Sequence, residues 1–566
     1  MQSIYNIAEI CAQKGIKEVI LSPGSRCAPL TLAFVRHPDI RTRTISDERS
    51  AAFIAMGIAL QTQKTVVLVC TSGSAAYNYA PAIAEAFYQH IPLLILTADR
   101  PSEWVDQLDG QTIRQENIYG KHVKAGFSFP SDLSHPDARW HSERMVSEAI
   151  NIAEAGPQGP VHINIPLREP FYPTESSPVR FDKQVKVIHS TASVSSITEP
   201  DWKILLDEFN ASAKTLIVAG QKPYNTTFTE QIERISSELN IPVISDIISN
   251  LQSAKGMIRN HDLILANLNA EGLEQLHPDL LISFGNSVIS KSLKGFLRKY
   301  KAARHWHIQS GPVAPDTFQS LTRIISCEDP VSFLKELNQR TSKPAAAYCE
   351  AWKKKETHYL GMSTKFLGEQ ADYSEFEAIN SVMAHLPDNS ILHLANSMPV
   401  RYANYIGLKE GRKIQVCCNR GTSGIDGTLS TAVGAALSTT VIVTVITGDM
   451  AFFYDRNALW NNYLPSNLRI VILNNHGGGI FRIIEGPSRL PELDEYFETE
   501  QRLTAANTAK DHKLEYHICR KRDEAGKILA SFFSPSKTSC ILEIETDSKN
   551  NTELFKKFKK HIQDEK

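Results

Sequence analysis

Short, unbroken apolar runs recur along the chain, and each ends in a small or polar residue. In the N-terminal part they lie at 19–22, 65–71, 92–97 and 161–165, separated by helical stretches that include 51–60 and 75–89. Continuous apolarity, rather than alternation, predicts strands buried on both faces, hence a parallel sheet covered by helices. The same style returns at 215–219, 242–245, 280–284 and 305–308, and again at 390–394, 441–447 and 468–473. Between these groups the pattern breaks. Residues 173–200 are rich in Ser, Thr and Pro and read as a linker, and a second break lies near 338–347. The expected fold is therefore α/β, with three consecutive open parallel-sheet domains at 1–180, 190–338 and 345–566 and no short-period repeat.

Composition narrows the class only a little. A chain of 566 residues is too long for one core. The formal net charge is −1, so no global basic field draws nucleic acid. The N-terminal MQSIYNIAEICAQKGIKEVILSPG reads as an amphipathic helix entering a strand, not as a signal peptide. The apolar run at 441–446 is strand-sized and far short of a membrane span. Nine cysteines include the adjacent Cys417 and Cys418 but no C-x-x-C, as expected of reduced thiols in a cytoplasmic enzyme.

The chemistry concentrates at strand ends. Gly448-Asp449 follows one buried run, and Asn475 follows another 26 residues later. Adjacent parallel strands bring two such side chains together, and Asp and Asn oxygens with a nearby carbonyl suit Mg²⁺, with Mn²⁺ not distinguished. Gly477, Gly478 and Gly479 let the backbone approach a ligand. Either half alone is an ordinary turn. In SDERSAAF, Glu48 opens a helix of small residues, where a lone acid is by default a surface helix-start residue. No G-x-x-x-x-G-K-[ST] loop is present to suggest a nucleotide enzyme.

Gly448-Asp449 with the later Asn474-Asn475 resembles the signature of thiamine-diphosphate enzymes, departing from it at Met450, where a glycine is usual. The motifs LSPGSRCAPLTLAF, DERSAAF, TADRP, DGQTIRQ, NRGTSGIDGTLSTAVGAA and NNHGGGIFRII resemble, within that group, the 2-succinyl-5-enolpyruvyl-6-hydroxy-3-cyclohexene-1-carboxylate synthases of menaquinone biosynthesis. The match is close in the outer domains and weak from about 185 to 380. The resemblance implies that Asp449, Asn475 and the backbone of Gly477 hold Mg²⁺ (or Mn²⁺), which holds the cofactor's diphosphate. It implies that Glu48 activates the aminopyrimidine ring, and that Ser72, Ser397, Gly448 and Ile425 also meet the cofactor. The implied reaction decarboxylates 2-oxoglutarate and adds the succinyl unit 1,4 to isochorismate. Ser25, Arg26, Arg100 and Gln111 would face isochorismate; Ser397, Arg401 and Arg420 would face 2-oxoglutarate.

Both substrates are dianions, which suits the planar forks of arginines close to strand ends, although most arginines are simply solvated or in salt bridges. Lys291 resembles a lysine reaching in from the middle domain; Ser292 stands where the family has a second cation. Ile480, Phe481 and Ile484 are expected to wall the pocket, a pattern equally typical of core. His476 reads as a variable polar residue rather than a ligand. The family also implies a homodimer or homotetramer whose sites are shared between subunits. Other 2-oxoacid decarboxylases or acetolactate synthases would share the cofactor halves. A non-catalytic relative is disfavoured by Glu48, Asp449 and Asn475 all being present.

Overall fold

The computed structural model describes all residues except 174–177, 192–195, 328–329, 342–345, 370–372 and 565–566. Three parallel sheets organise the chain. The first contains β1 (Glu18–Leu21), β2 (Arg41–Thr44), β3 (Val66–Cys70), β4 (Leu93–Asp99), β5 (Ala125–Ser128) and β6 (Val161–Pro166), in the order β2-β1-β3-β4-β6-β5. The second contains β7 (Thr215–Ala219), β8 (Val243–Ser245), β9 (Leu280–Phe284), β10 (Arg304–Gln309) and β11 (Arg323–Ser326), in the order β11-β10-β9-β7-β8. The third contains β12 (Ser390–Leu394), β13 (Ile414–Cys417), β14 (Val443–Gly448), β15 (Leu468–Asn474), β16 (Glu515–Cys519) and β17 (Cys540–Glu545), in the order β13-β12-β14-β15-β17-β16. The α/β architecture expected from the apolar runs is thus present. The central strands β3, β4 and β15 are buried at every position. Helices cover both faces, so those strands have no polar side to show.

The first and third sheets share one strand order. In each, the chain crosses from one side of the first strand to the other, at β1/β3 and at β12/β14. At such a switch point the loops diverge and open a crevice beyond the strands' carboxyl ends, where open α/β sheets bind ligands.

The helix Glu48–Thr62 of the first domain lies backbone to backbone on Thr428–Ala436 of the third. A Cβ at Gly57 would fall 2.1 Å from the Thr431 carbonyl oxygen, and one at Gly434 would fall 2.1 Å from that of Ile54. One apolar cluster runs through both helices, and another joins the middle and third domains. The Ser/Thr/Pro-rich segment is not a loose tether where it is described. Val179, Phe181 and Val187 pack on the first domain's core, and Lys183 Nζ holds Glu9 at 2.9 and 3.1 Å. Among the described residues no helix is long and apolar enough to cross a membrane.

Candidate active site

In the third sheet β14 and β15 run side by side with Gly448 opposite Leu473, so the residues just beyond both strands emerge together. Asp449, 1% exposed, starts the helix Asp449–Asp455, and Gln501 Nε2 donates to its Oδ2 at 2.6 Å. Asn475 Oδ1 accepts from the Gly477 amide at 3.1 Å, while its Nδ2 donates to Glu375 Oε1 at 2.7 Å. Glu375 is buried at the start of the helix Glu375–His385, which Ser374 caps.

Burial pushes the Glu375 carboxyl up to about 8; Asp449 adds to this and the Asn475 hydrogen bond opposes it. Burial likewise pushes Asp449 up to about 6 against the Gln501 hydrogen bond. Among the described residues neither acid is in an ion pair with Lys or Arg. Two buried carboxyl groups beside an amide oxygen, with no basic partner, form a site electrostatically short of a cation. His476 borders this site and lies 3.5 Å from Glu545 Oε1. Of the ligands that the resemblance implied, Asp449, Asn475 and Gly477 are brought together. The Gly477 carbonyl accepts from Gly479 N at 3.1 Å. Nothing lies within 4 Å of a Cβ built at Gly448, so the strand end opens onto free space. Met450 adopts helical backbone, which any residue tolerates, so the loss of the usual glycine costs nothing here.

Across the β12/β14 crevice, Ser397 takes a left-handed backbone with φ 71° before the helix Met398–Ile406. A non-glycine held there is strained, as is common where a ligand fixes the loop. Arg401 Nη1 donates to the Ser397 carbonyl at 2.5 Å. Burial lowers the Arg401 pKa, and Arg420, which bonds the residue next to Ser397, lowers it further. Arg420 Nη1 donates to Asn396 Oδ1 at 3.0 Å, and its buried Nε has no partner. Its loop is pinned by the first domain, where Glu85 accepts from the Gly421 amide at 2.7 Å and the Thr422 amide at 2.6 Å. Ile425 is 44% exposed, which excludes a core role within one chain.

In the first sheet Glu48 opens its helix after Asp47, whose Oδ1 accepts from Ser50 N at 3.1 Å. Burial, with Asp47 beside it, raises the Glu48 pKa. Cys27 and Cys70 feel its charge, which puts Glu48 by the ends of β1 and β3. Ser72 is buried with its Oγ unpartnered. Arg26 is 7% exposed; its Nη1 donates to Leu167 O at 2.9 Å and its guanidinium stacks over Phe171. Burial and then Arg100 lower its pKa, so these two arginines are neighbours as well. Arg100 pairs with Asp109 at 3.1 Å. The Gln111 backbone lies against Gly73 with φ 55°, and Ser25 is exposed.

Lys291 is exposed on the helix Lys291–Lys299. Ile480 packs partly on the core, the Phe481 ring sits 5.8 Å from that of Phe497, and Ile484 is partly exposed. Glu48 and Asp449 share no hydrogen bond, ion pair or charge contact among the described residues. Sequence reasoning missed Glu375, Gln501 and Gln115. Gln115 accepts from Gly73 N at 3.1 Å and donates to Asn164 Oδ1 at 2.8 Å, fixing the loop after β3. The motif DGQTIRQ, which ends on Gln115, and the helix-start pattern Ser374-Glu375-Phe376-Glu377 were their marks in the sequence.

Residues 5–119 match the family model for the thiamine pyrophosphate enzyme N-terminal TPP-binding domain, and 182–394 match the model for the middle domain of thiamine pyrophosphate enzymes. A 2-succinyl-5-enolpyruvyl-6-hydroxy-3-cyclohexene-1-carboxylate synthase of Cytophaga hutchinsonii is 50% identical, covering 100% of this chain and 99% of its own length. The chain belongs to that synthase family. Relatives of the same name from Flavobacterium johnsoniae, 38% identical over 98% of both chains, and Porphyromonas gingivalis, 37% identical over 99% of this chain and 97% of its own, agree. Membership in the synthase family covers the middle domain, where the motif resemblance was weakest. It also fits the pairing of a cation-poor acid site with two arginine pairs at the sheet ends.

Proposed function

We propose that this enzyme, with thiamine diphosphate and Mg²⁺ (or Mn²⁺), decarboxylates 2-oxoglutarate and adds the succinyl unit 1,4 to isochorismate. It would act as a cytoplasmic transferase of menaquinone biosynthesis. The observation that carries this reading is the placement of two arginine pairs. Arg26 with Arg100 lies at the end of the first sheet, and Arg401 with Arg420 at the end of the third. Two dianionic substrates need two such groups, since the metal is committed to the diphosphate.

The chain's own residues have distinct tasks. Asp449, Asn475 and the Gly477 carbonyl would hold the metal, and Gly448, Ser397 and Ser72 would meet the cofactor. Glu48, its carboxyl favoured in the protonated form by burial, holds a proton at the aminopyrimidine ring nitrogen. Bound thiamine diphosphate supplies the nucleophilic carbon that makes decarboxylation possible. Ile425, exposed in the single chain, would pack against the cofactor when it is bound. Arg401 and Arg420 orient 2-oxoglutarate; Ser25, Arg26, Arg100 and Gln111 orient isochorismate, with Lys291 reaching in from the middle domain. Ile480, Phe481 and Ile484 exclude water.

As the family resemblance implies, the sites would be completed between subunits of a homodimer or homotetramer. Mixing inactive Glu48→Gln and Asp449→Ala chains 1:1 would then restore about a quarter of the sites, since each mixed dimer has one intact site. The reaction itself is tested by product analysis with 2-oxoglutarate alone and then with isochorismate. The ring adduct is expected with both. Ready release of succinic semialdehyde and no adduct would instead identify another 2-oxoacid decarboxylase.

A further inference from the structure

The middle domain touches the third sheet just where Arg420 leaves it. Gln221 Nε2 donates to the Cys418 carbonyl at 2.7 Å, and Ser287 Oγ to the Arg420 carbonyl at 3.4 Å. Asn250 exchanges hydrogen bonds with Val416, at 2.6 and 3.0 Å. The helix Lys291–Lys299 begins immediately beyond this contact. Its start is held rigidly. Ser290 caps it through the Leu293 amide at 2.9 Å, Asp262 accepts from Ser290 Oγ at 2.6 Å, and Asp246 accepts from the Ile289 amide.

On this fixed turn Lys291 is exposed, and Ser292 carries no charge. Lys294, one helical turn after Lys291, is partly buried. Its ammonium forms no hydrogen bond or ion pair among the described residues. Burial lowers its pKa and the Arg420 guanidinium lowers it further. The acids within reach are already engaged: Asp246 with His261 at 3.0 Å, and Asp262 with Ser290 and Asn404. Arg420 thus lies near two further partly buried cations, Arg401 and Lys294, and among the described residues none of the three is in an ion pair with a carboxylate. Crowding like charges away from water is unfavourable, and an incoming anion relieves it.

We propose that Lys294 is a substrate-binding residue, supplying the cation absent at Ser292 and acting with Arg401 and Arg420 on the distal carboxylate of the 2-oxoacid. This rests on the reaction proposed above. The test compares wild type, Lys294→Met and Lys294→Arg with 2-oxoglutarate and with 2-oxopentanoate, which has the same chain length but no distal carboxylate. Lys294→Met should lower kcat/KM for 2-oxoglutarate by about tenfold or more, with little change for 2-oxopentanoate, and Lys294→Arg should recover most of the loss. An unchanged ratio between the two substrates would overturn the role. Glutarate binding, measured by calorimetry on the cofactor-loaded enzyme, separates the two proposals. If the wild type turns over neither oxoacid, the reaction is wrong, but a tenfold weaker glutarate affinity in Lys294→Met still upholds the site. Equal affinity refutes it.

Discussion

The crossing of Glu48–Thr62 on Thr428–Ala436 makes Gly57 and Gly434 the positions where one methyl group does most harm. An alanine Cβ at Gly57 would lie 2.1 Å from the Thr431 oxygen and 2.9 Å from its carbonyl carbon. At Gly434 the obstacles are the Ile54 oxygen at 2.1 Å and the Ile58 nitrogen at 3.0 Å. All of these atoms are helix backbone, so no side chain can rotate away, and relief requires the helices to part. Overpacking of this kind costs about 1–3 kcal/mol, and rigid neighbours put it at the upper end. Alanine's better helix propensity returns at most about 1 kcal/mol. The net loss is about 2 kcal/mol per substitution, or about 4–8 °C in Tm for a unit of 150–250 residues. The double variant should lose less than the sum, because a single separation relieves both clashes. Turnover should fall more steeply than stability, because Glu48 sits at the first turn of the displaced helix. Thermal unfolding and steady-state rates on the cofactor-loaded enzyme check this. Alanine variants as stable as wild type, or strictly additive losses, would refute the backbone-to-backbone packing.

Glu48→Gln should bind cofactor normally by calorimetry yet lose about 100-fold or more in kcat, the range for removing a positioned proton-transfer group; near-normal turnover would remove Glu48 from the chemistry. Arg420→Ala should cost about 2–4 kcal/mol in kcat/KM for 2-oxoglutarate, because a substrate carboxylate loses a charged partner in a partly dry site. Unchanged kinetics would place Arg420 outside the pocket. Burial alone would push His261 down, but the hydrogen bond and charge of Asp246, with Asp262 and Glu356, hold it at about 9. Its stabilising contribution is therefore complete below about pH 6.5 and lost as pH rises through about 9. The urea midpoint of wild type should exceed that of His261→Gln at pH 6.5 by more than at pH 9.5, and an equal gap at both would show that His261 is neutral throughout.

The sequence disclosed the middle of each sheet far better than its margins. Strands such as Leu468–Asn474 are buried at every position and announce themselves as apolar runs. The edge strands Arg41–Thr44, Ala125–Ser128 and Glu515–Cys519 carry exposed or half-exposed positions and polar residues, because only one side pairs, and no apolar run marks them. The site shows the same division. Asp449 and Asn475 were legible because each follows a buried run. Glu375 was not, because it reaches Asn475 from a helix 100 residues earlier, where no local pattern ties it to the acid site. Lys294, proposed above as a substrate-binding cation, stands one helical turn after Lys291, so reading outward from Lys291 to its neighbour Ser292 passes it by.

The shared strand order explains why the chemistry divides as it does. After β1 stand Ser25 and Arg26, and after β12 stand Asn396 and Ser397; after β2 comes Glu48, and after β13 comes Arg420. After β3 and β4 come Ser72 and Arg100, whereas after β14 and β15 come Asp449 and Asn475. The same positions thus hold a neutral hydroxyl and a cation in one sheet, and a carboxylate and an amide oxygen in the other. The oxygens beyond β14 and β15 suit a hard cation, whereas a hydroxyl and a guanidinium stand beyond β3 and β4. On the proposed reaction both domains, built to one plan, are needed. The glycine crossing fixes how the two domains meet within a chain, and the mixed-chain experiment with Glu48→Gln and Asp449→Ala asks whether a second copy completes the site.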